Sequence, residues 1–338
     1  MVKISKLVYI SFFLPLICIS QTLTGRVIDK VTKQPLETVA VYFDNTTVGT
    51  TTDEKGEFSI SYTEAIQSTL VISYLGYEKV LIPDFRTQNN ITIEMVEANN
   101  ELDEVLIAYD DGLTRKQKLR LFRKEFLGSS RFGKSCKILN ESDIILNYNK
   151  QEKVLYASAK VPIIVKNKAL QYEVNFDLKD FAIEFRYVDA SVNEFVLKTV
   201  AFQGTTFYKN LKNADRKKTL KNRAKAYKGS IQHFMRSLYN ENLKDENYSI
   251  YYRGFKVDEW TYFKIEKVKD SPYKKVVLID KVSILYDKKF QSSLRVLVPE
   301  FFVNSYGYYL PILGIYFSGD MGNQRLGDML PFDYDLND

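Results

Sequence analysis

The sequence predicts a mainly β protein. An N-terminal β-sandwich precedes an α+β domain whose antiparallel sheet carries one or two amphipathic basic helices. Three observations predict this. Short runs alternating apolar and polar residues fill residues 39–95 and return over 136–208. Apolar residues at 3- and 4-residue spacing are concentrated around 113–127 and 216–247. The 338 residues are 45% hydrophobic and 27% charged with only 15 Gly and 8 Pro, which suits about two packed cores and excludes a disordered, collagenous or polytopic helical membrane chain.

Residues 1–20 read as an export leader. Lys3 and Lys6 form its basic start, Leu7 to Ile17 its apolar stretch, and Cys18-Ile19-Ser20 places small residues where cleavage before Gln21 requires them. Acylation of Cys18 is the alternative, and the bulky Ile17 before it argues against that. Loss of Lys3 and Lys6 lowers the formal charge from +6 to +4, which does not indicate a nucleic-acid partner. Cys136 then stands alone, so no internal disulfide is expected, and it reads as a small buried apolar residue.

Over residues 21–97 the alternating sets are Val39, Val41 and Phe43, then Phe58, Ile60 and Tyr62, then Leu70, Ile72 and Tyr74, then Ile91, Ile93 and Met95. The turn Asp53-Glu54-Lys55-Gly56 separates the first two sets, its glycine free to take positive φ. The segments "LTGRVIDKVTKQPLETVAVYFDNTTVGTTTDEKGEFSISY", "LVISYLGYEKV" and "ITIEMVEANNELDEVLI", in that order over residues 22–107, resemble the carboxypeptidase-regulatory-like domain. The resemblance implies a transthyretin-like sandwich of about seven strands. It also implies a setting, since such domains commonly open exported and outer-membrane proteins of Gram-negative bacteria. It implies no peptidase chemistry. In TonB-dependent receptors the Leu102-Asp103-Glu104-Val105 segment leads into a plug domain; here it leads into a basic helix, and the chain is too short for a large barrel.

Residues 98–112 read as an acidic linker, with Glu101, Asp103, Glu104, Asp110 and Asp111 and no base. The second domain, 113–338, opens with a helix in which Leu119, Phe122 and Phe126 share one face and six bases cover the rest. In the strand region Leu170, Tyr172, Val174, Phe176 and Leu178 alternate, and the parity then switches to Phe181, Ile183, Phe185 and Tyr187. A two-residue hairpin loop at Lys179-Asp180 accounts for the switch. Leu220, Ala224, Tyr227, Ile231, Phe234 and Leu238 form one apolar stripe over 216–247, which Gly229 is placed to break into two helices. The segments "EFLGSSRFGKSCKILNESDIILNY", "IIVKNKALQYEVNFDLKDFAIEF", "AYKGSIQHFMRSLYNENL" and "RLGDMLPFDY" resemble an uncharacterised family of exported bacterial proteins, with no activity attached.

The one histidine, His233, excludes a metal site built on two imidazoles. It lies about 200° round a helix from Ile231, so Ser230, His233, Arg236 and Ser237 form one polar face. That face is the candidate binding site. A Ser/His nucleophile would further need an oxyanion hole, so the reading is a structural network or a ligand contact before a catalytic group. Lys217, Lys218, Lys221, Arg223, Lys225 and Lys228 make a candidate basic surface for an anionic lipid headgroup or acidic glycan, against a plain solvated helix face. No Gly-rich phosphate loop, paired zinc motif or calcium loop appears, so no cofactor is expected.

The expected function is an exported cell-envelope binding or assembly module without catalytic activity, in the periplasm or associated peripherally with the outer membrane. Its partner would be an envelope protein or glycan. The alternatives are an envelope hydrolase acting on carbohydrate or peptide, for which Asp177 with Asp180 or Asp258 with Glu259 supply carboxylates, and a small outer-membrane β-barrel.

Overall fold

The computed structural model describes residues 21–63, 66–87, 90–98, 112–269 and 271–334. The leader read at 1–20 and nearly all of the acidic linker lie outside the described residues.

Among the described residues the first body has seven strands: β1 (Gln21–Asp29), β2 (Ala40–Phe43), β3 (Gly49–Thr51), β4 (Glu57–Tyr62), β5 (Leu70–Ser73), β6 (Val80–Ile82) and β7 (Asn90–Met95). They form two sheets, β4-β1-β7 and β3-β2-β5-β6, with β1 and β7 parallel and the other pairs antiparallel. Period-two patterning does what it should: Phe58, Ile60 and Tyr62 are buried and their neighbours on β4 are exposed. With Leu23, Val27, Val41, Phe43, Leu70, Ile72 and Ile93 they fill the space between the sheets. The Asp53 carboxylate accepts the N–H groups of Lys55 and Glu57 and so holds the turn into β4.

Tyr42 and Val71 point out of this sandwich and are nevertheless buried. The reason lies in the second region. It begins with α1 (Arg115–Leu127), then β8 (Cys136–Ile138), β9 (Ile144–Asn149), β10 (Val154–Ala159), β11 (Ile163–Asn167), β12 (Tyr172–Asp189) and β13 (Glu194–Asn210). The outer face of the β3-β2-β5-β6 sheet docks on β13. The Tyr42 ring packs 5.0 Å from that of Phe207. The Asn45 N–H donates to Thr206 O at 2.7 Å, Tyr208 N–H to Thr46 O at 3.0 Å and Thr206 N–H to the Asp44 carboxylate at 2.7 Å. Lys79 pairs with Asp177. The two bodies therefore share main-chain hydrogen bonds.

Strand β12 corrects the expected hairpin at Lys179-Asp180. The chain runs straight through as one 18-residue strand, paired along its whole length with β13. Leu178 faces Gly204 and Asp180 faces Gln203, so Lys179 is the extra residue of a β-bulge. A bulge and a two-residue loop reverse side-chain parity equally, and the chain takes the bulge because Gly204 lets the strands close up. A Cβ on Gly204 would sit 2.2 Å from Asp177 O. The turn falls instead at residues 190–193, where Asn193 takes φ 57°. Helix α1 lies against this sheet, its Phe122 and Phe126 meeting Phe181, Phe176 and Phe202, and its N-terminus is closed by a Thr114–Gln117 capping box.

Then come α2 (Lys217–Tyr227), α3 (Ile231–Tyr239), β14 (Tyr248–Tyr252), β15 (Phe255–Val257), α4 (Glu259–Tyr262), β16 (Phe263–Lys267), β17 (Tyr273–Leu278), β18 (Val282–Tyr286), β19 (Phe290–Val296), β20 (Phe301–Asn304), β21 (Tyr309–Leu310), β22 (Ile315–Ser318) and the single turn α5 (Gly319–Gly322). Two antiparallel sheets, β15-β14-β18-β19-β22 and β16-β17-β20-β21, enclose a second apolar cluster with α3. The region after residue 112 thus contains two hydrophobic cores, one under α1 and one under α3. Residues 323–334 return across the molecule. Leu326 and Leu330 join the α1 core, while the Asp333 carboxylate takes the Thr47 N–H and hydroxyl of the sandwich.

The fold is therefore mainly β, a sandwich followed by antiparallel sheets with few helices. All five sheets end in edge strands among the described residues, so the small outer-membrane barrel entertained from the alternation is not what these strands form. Of the aromatic residues in that alternation, Tyr172, Phe176, Phe181 and Phe185 lie in a protein core and Tyr187 is exposed. No described helix is long and apolar enough to cross a membrane.

Candidate functional site

The polar face of α3 exists but points inward. Gly229 (φ 76°) separates α2 from α3, and Ser230 caps α3 by accepting the His233 N–H at 3.0 Å. The Ser237 hydroxyl donates back to His233 O at 2.8 Å. Neither hydroxyl reaches the imidazole. His233 is 4% exposed and enclosed by the rings of Tyr227, Tyr248 and Tyr286. Its Nδ1 accepts the Gly229 N–H at 3.0 Å and lies 3.0 Å from the Tyr248 hydroxyl. Its Nε2 lies 3.1 Å from Glu246. A backbone N–H has no choice but to donate, so Nδ1 is the bare nitrogen and Nε2 carries the proton. Burial holds the imidazole below its ordinary pKa, with Glu246 pulling the other way. Arg236 donates to Tyr306 O, Phe332 O and Tyr334 O and ties α3 to the returning C-terminal segment. The four residues proposed from sequence are brought together as a packed clamp, each satisfied by protein groups, and none lines a cleft described here.

The basic surface divides. Lys217, Lys218, Lys221, Lys225 and Lys228 are exposed. Arg223 is not: it is 7% exposed, a correction to its placement on that surface. The expected apolar stripe fails at the same helix, since Leu220 is 50% exposed and α2 turns Thr219, Asn222, Arg223 and Ala226 inward. The physical reason is the turn before β12. Gln171 takes φ 56°, and the turn leaves carbonyls pointing at α2. Asn222 donates to Ala169 O at 2.9 Å, and Arg223 to Leu170 O at 2.9 Å and Gln171 O at 3.3 Å. The Arg223 guanidinium also stacks 3.7 Å from the centre of the Tyr172 ring.

The same turn and the start of α2 form a cleft of about 370 Å³. Its charged lining is Arg131, Lys168, Arg216 and Lys218, with no carboxylate. Ser135, Asn213 and Thr219 add polar groups. Arg131 is steadied by its bond to Asn222 Oδ1 at 2.9 Å. Arg216 precedes the first turn of α2, and no side chain caps that end. Arg131 and Lys168 were missed as site residues because they lie 85 and 48 positions before Arg216. No periodicity links them. A second cleft, about 690 Å³, lies on the sandwich and is lined by hydroxyls of Thr24, Thr50, Thr51, Ser59 and Thr92 with charges of both signs.

Two of the four carboxylates named for a hydrolase have structural partners. Asp177 pairs with Lys79, and Asp258 caps α4 by accepting the Trp260 N–H at 3.0 Å. Cys136 is half-buried, donates to Phe132 O, and its thiol is pushed up to about 12 by burial. Among the described residues, no group of three or more His, Cys, Asp or Glu side chains is arranged to hold a metal ion.

Fold and site together give a two-part protein: a docked sandwich and a mixed body bearing a cationic cleft. The family model of the CarboxypepD_reg-like domain matches residues 23–107, the sandwich and the segment after it. No curated protein matches the chain. Among solved structures it matches a protein from Bacteroides fragilis described as membrane-associated and of unknown function, at 10% identity over 84% of this chain and 93% of that one. The TM-score is 0.18, too low to establish a common fold.

Proposed function

We propose that the protein is an exported cell-envelope binding module, without catalytic activity, whose cationic cleft takes an anionic group of an envelope glycan. The observation that carries this is the convergence of Arg131, Lys168, Arg216 and Lys218 with no carboxylate among them. Like charges brought together around a concavity repel one another unless an anion shares them, and a phosphate or carboxylate fits guanidinium and ammonium donors directly. Exposed Lys221 and Lys225 further along α2, and Lys228 just past its end, extend the positive field toward an incoming polyanion. The leader read from the sequence at 1–20 and the regulatory-like sandwich support an envelope location, in the periplasm or at the outer membrane. The non-catalytic reading is supported by the imidazole, whose nitrogens are committed to Gly229, Tyr248 and Glu246.

Calorimetric titration with inorganic phosphate and with a phosphorylated or uronate-bearing oligosaccharide tests the proposal. Binding should weaken with ionic strength. Arg216→Glu and Lys218→Glu should abolish it, and Lys225→Glu, outside the cleft lining, should leave most of it. Binding that ignores both cleft substitutions would end the reading, as would turnover of an envelope polymer that is lost in His233→Ala with folding intact. N-terminal sequencing of exported material should begin at Gln21.

A further inference from the structure

One pole of the C-terminal body gathers exposed apolar side chains from four separate connections. The register fixes this. Tyr252 pairs with Phe255, Tyr251 with Ser283, Val282 with Leu294 and Val296 with Ile315. The β14–β15 turn, the approach to β18, the exit from β19 and the approach to β22 therefore lie at the same end of one sheet. The second sheet ends there too, since Phe263 pairs with Leu278 and Phe302 with Leu310. Direct contacts join the connections: Leu297 N–H donates to Gly314 O at 2.7 Å, Ile279 N–H to Tyr262 O at 3.0 Å, and the Tyr252 and Tyr262 rings lie 4.7 Å apart.

At this pole stand Phe255 (76% exposed), Ile279, Leu297, Ile312, Leu313 (81% exposed) and Tyr316. Large apolar groups concentrated at one end of a protein mark a surface that meets another phase or partner. Around them are Trp260, the chain's one tryptophan, and Tyr252, residue types that favour the boundary between water and hydrocarbon. Arg253, Lys256, Lys281 and Arg295 are exposed at the same end, with the Arg253 guanidinium 5.1 Å from the centre of the Tyr252 ring. The acids there are engaged within the protein or held close to it. Asp280 accepts from the Tyr252 hydroxyl and the Lys281 N–H, Asp258 caps α4, Glu300 lies 3.8 Å from Lys275, and Glu259 sits half-buried in the first turn of α4. These carboxylates keep their charge, so the pole carries both signs. Its cations differ in reach, since the long Arg and Lys side chains are exposed while Asp258 and Asp280 are held against the protein by their hydrogen bonds.

We propose that this pole seats in the headgroup region of an anionic lipid surface, with the apolar tips entering the acyl boundary and the four cations facing lipid phosphates. Sparse apolar side chains on separate tips, ringed by Trp and Tyr and by exposed cations long enough to reach lipid phosphates, match a lipid interface. The proposal rests on export only to bring the chain to a membrane, and it is independent of what fills the cationic cleft.

The test is flotation of the full mature chain with vesicles of phosphatidylglycerol and phosphatidylethanolamine, against phosphatidylcholine alone, with Trp260 emission read in parallel. The chain should float with the anionic vesicles and its emission should move to the blue. Soluble glycerol phosphate should produce no such shift, which separates a lipid surface from a free phosphate. Ile312→Asp with Leu313→Asp should lower vesicle affinity by at least about tenfold with unchanged circular dichroism; Phe255→Asp, on another connection, is the second variant should that pair not fold. Arg253→Glu with Lys281→Glu should remove the preference for anionic lipid. Lys218→Glu in the cleft should change neither readout. Failure of the wild-type chain to float would overturn the proposal, as would loss of flotation in Lys218→Glu alone. A concentration-dependent dimer that the apolar substitutions dissolve would assign the pole to a second copy instead.

Discussion

Replacing Arg223 with alanine removes a buried cation that holds the turn before β12. Its guanidinium donates to Leu170 O, Gln171 O and Asn210 Oδ1 at 2.9, 3.3 and 2.8 Å, and stacks 3.7 Å from the centre of the Tyr172 ring. Hydrogen bonds from a charged donor contribute about 1.5–3 kcal/mol each, and a desolvated cation–π contact about 2. These do not add, and removing the side chain also relieves the cost of burying a charge, which pushes the Arg223 pKa down. A net loss of about 3–5 kcal/mol follows, a large part of the ~5–15 kcal/mol that stabilises a typical native protein. Urea unfolding followed by far-ultraviolet circular dichroism measures it. Lys221→Ala, on an exposed position of the same helix, should cost under about 0.5 kcal/mol. Arg223→Lys should recover only part of the loss, because an ammonium cannot make the forked contact. A loss below about 1 kcal/mol in Arg223→Ala would refute the argument that α2 is held by polar bonds to the turn.

Three further outcomes follow from the same geometry. The folded-state pKa of His233 lies below the ordinary 6.5, so the unfolded chain binds the proton first; its contribution is complete above pH 6.5 and falls by up to about 1.4 kcal/mol per pH unit below that, until the folded-state value is reached. Unfolding at pH 7.5 and 5.5 should show this loss, and His233→Gln should flatten it. Asp44 has the opposite sign. Burial raises it to about 6 from 3.8, so its contribution is present below 3.8 and lost as pH rises through 6, and Asp44→Asn should unfold later than wild type at pH 8 by up to about 2 kcal/mol, discounted for its partial exposure. Equal stability of the two proteins across that range would show that the carboxylate is solvated. Gly204→Ala forces a Cβ against Asp177 O; a cost of about 1–3 kcal/mol is expected, and a neutral result in thermal melts would mean that the bulge relaxes freely.

The strands of the sandwich were legible in the sequence because one face of each is dry, and burial of alternate residues writes itself into the pattern at Phe58, Ile60 and Tyr62. The break at Gly229 was legible for a similar reason: it interrupts a helical stripe with a residue suited to positive φ. The parity switch after Leu178 was visible, but its cause was ambiguous. Only the partner strand, with Gly204 opposite, decides between bulge and loop. The apolar stripe through Leu220 misled because the inward face of α2 meets the carbonyl groups of the turn before β12, and a surface of carbonyls selects Asn222 and Arg223. For α3, sequence placed a polar face correctly on the helix, and nothing in a single helix says what lies opposite it.

By itself, then, the sequence determined the β-rich class, the first sandwich and the places of the three longer helices, all of which rest on local periodicity and composition, and it predicts an export leader. Tertiary structure decided which charged residues are buried, the docking of the sandwich on β13, the cationic cleft and the apolar pole. These depend on segments tens of residues apart meeting in space. Such meetings are set by the register and crossing of whole elements, and local periodicity carries no record of them.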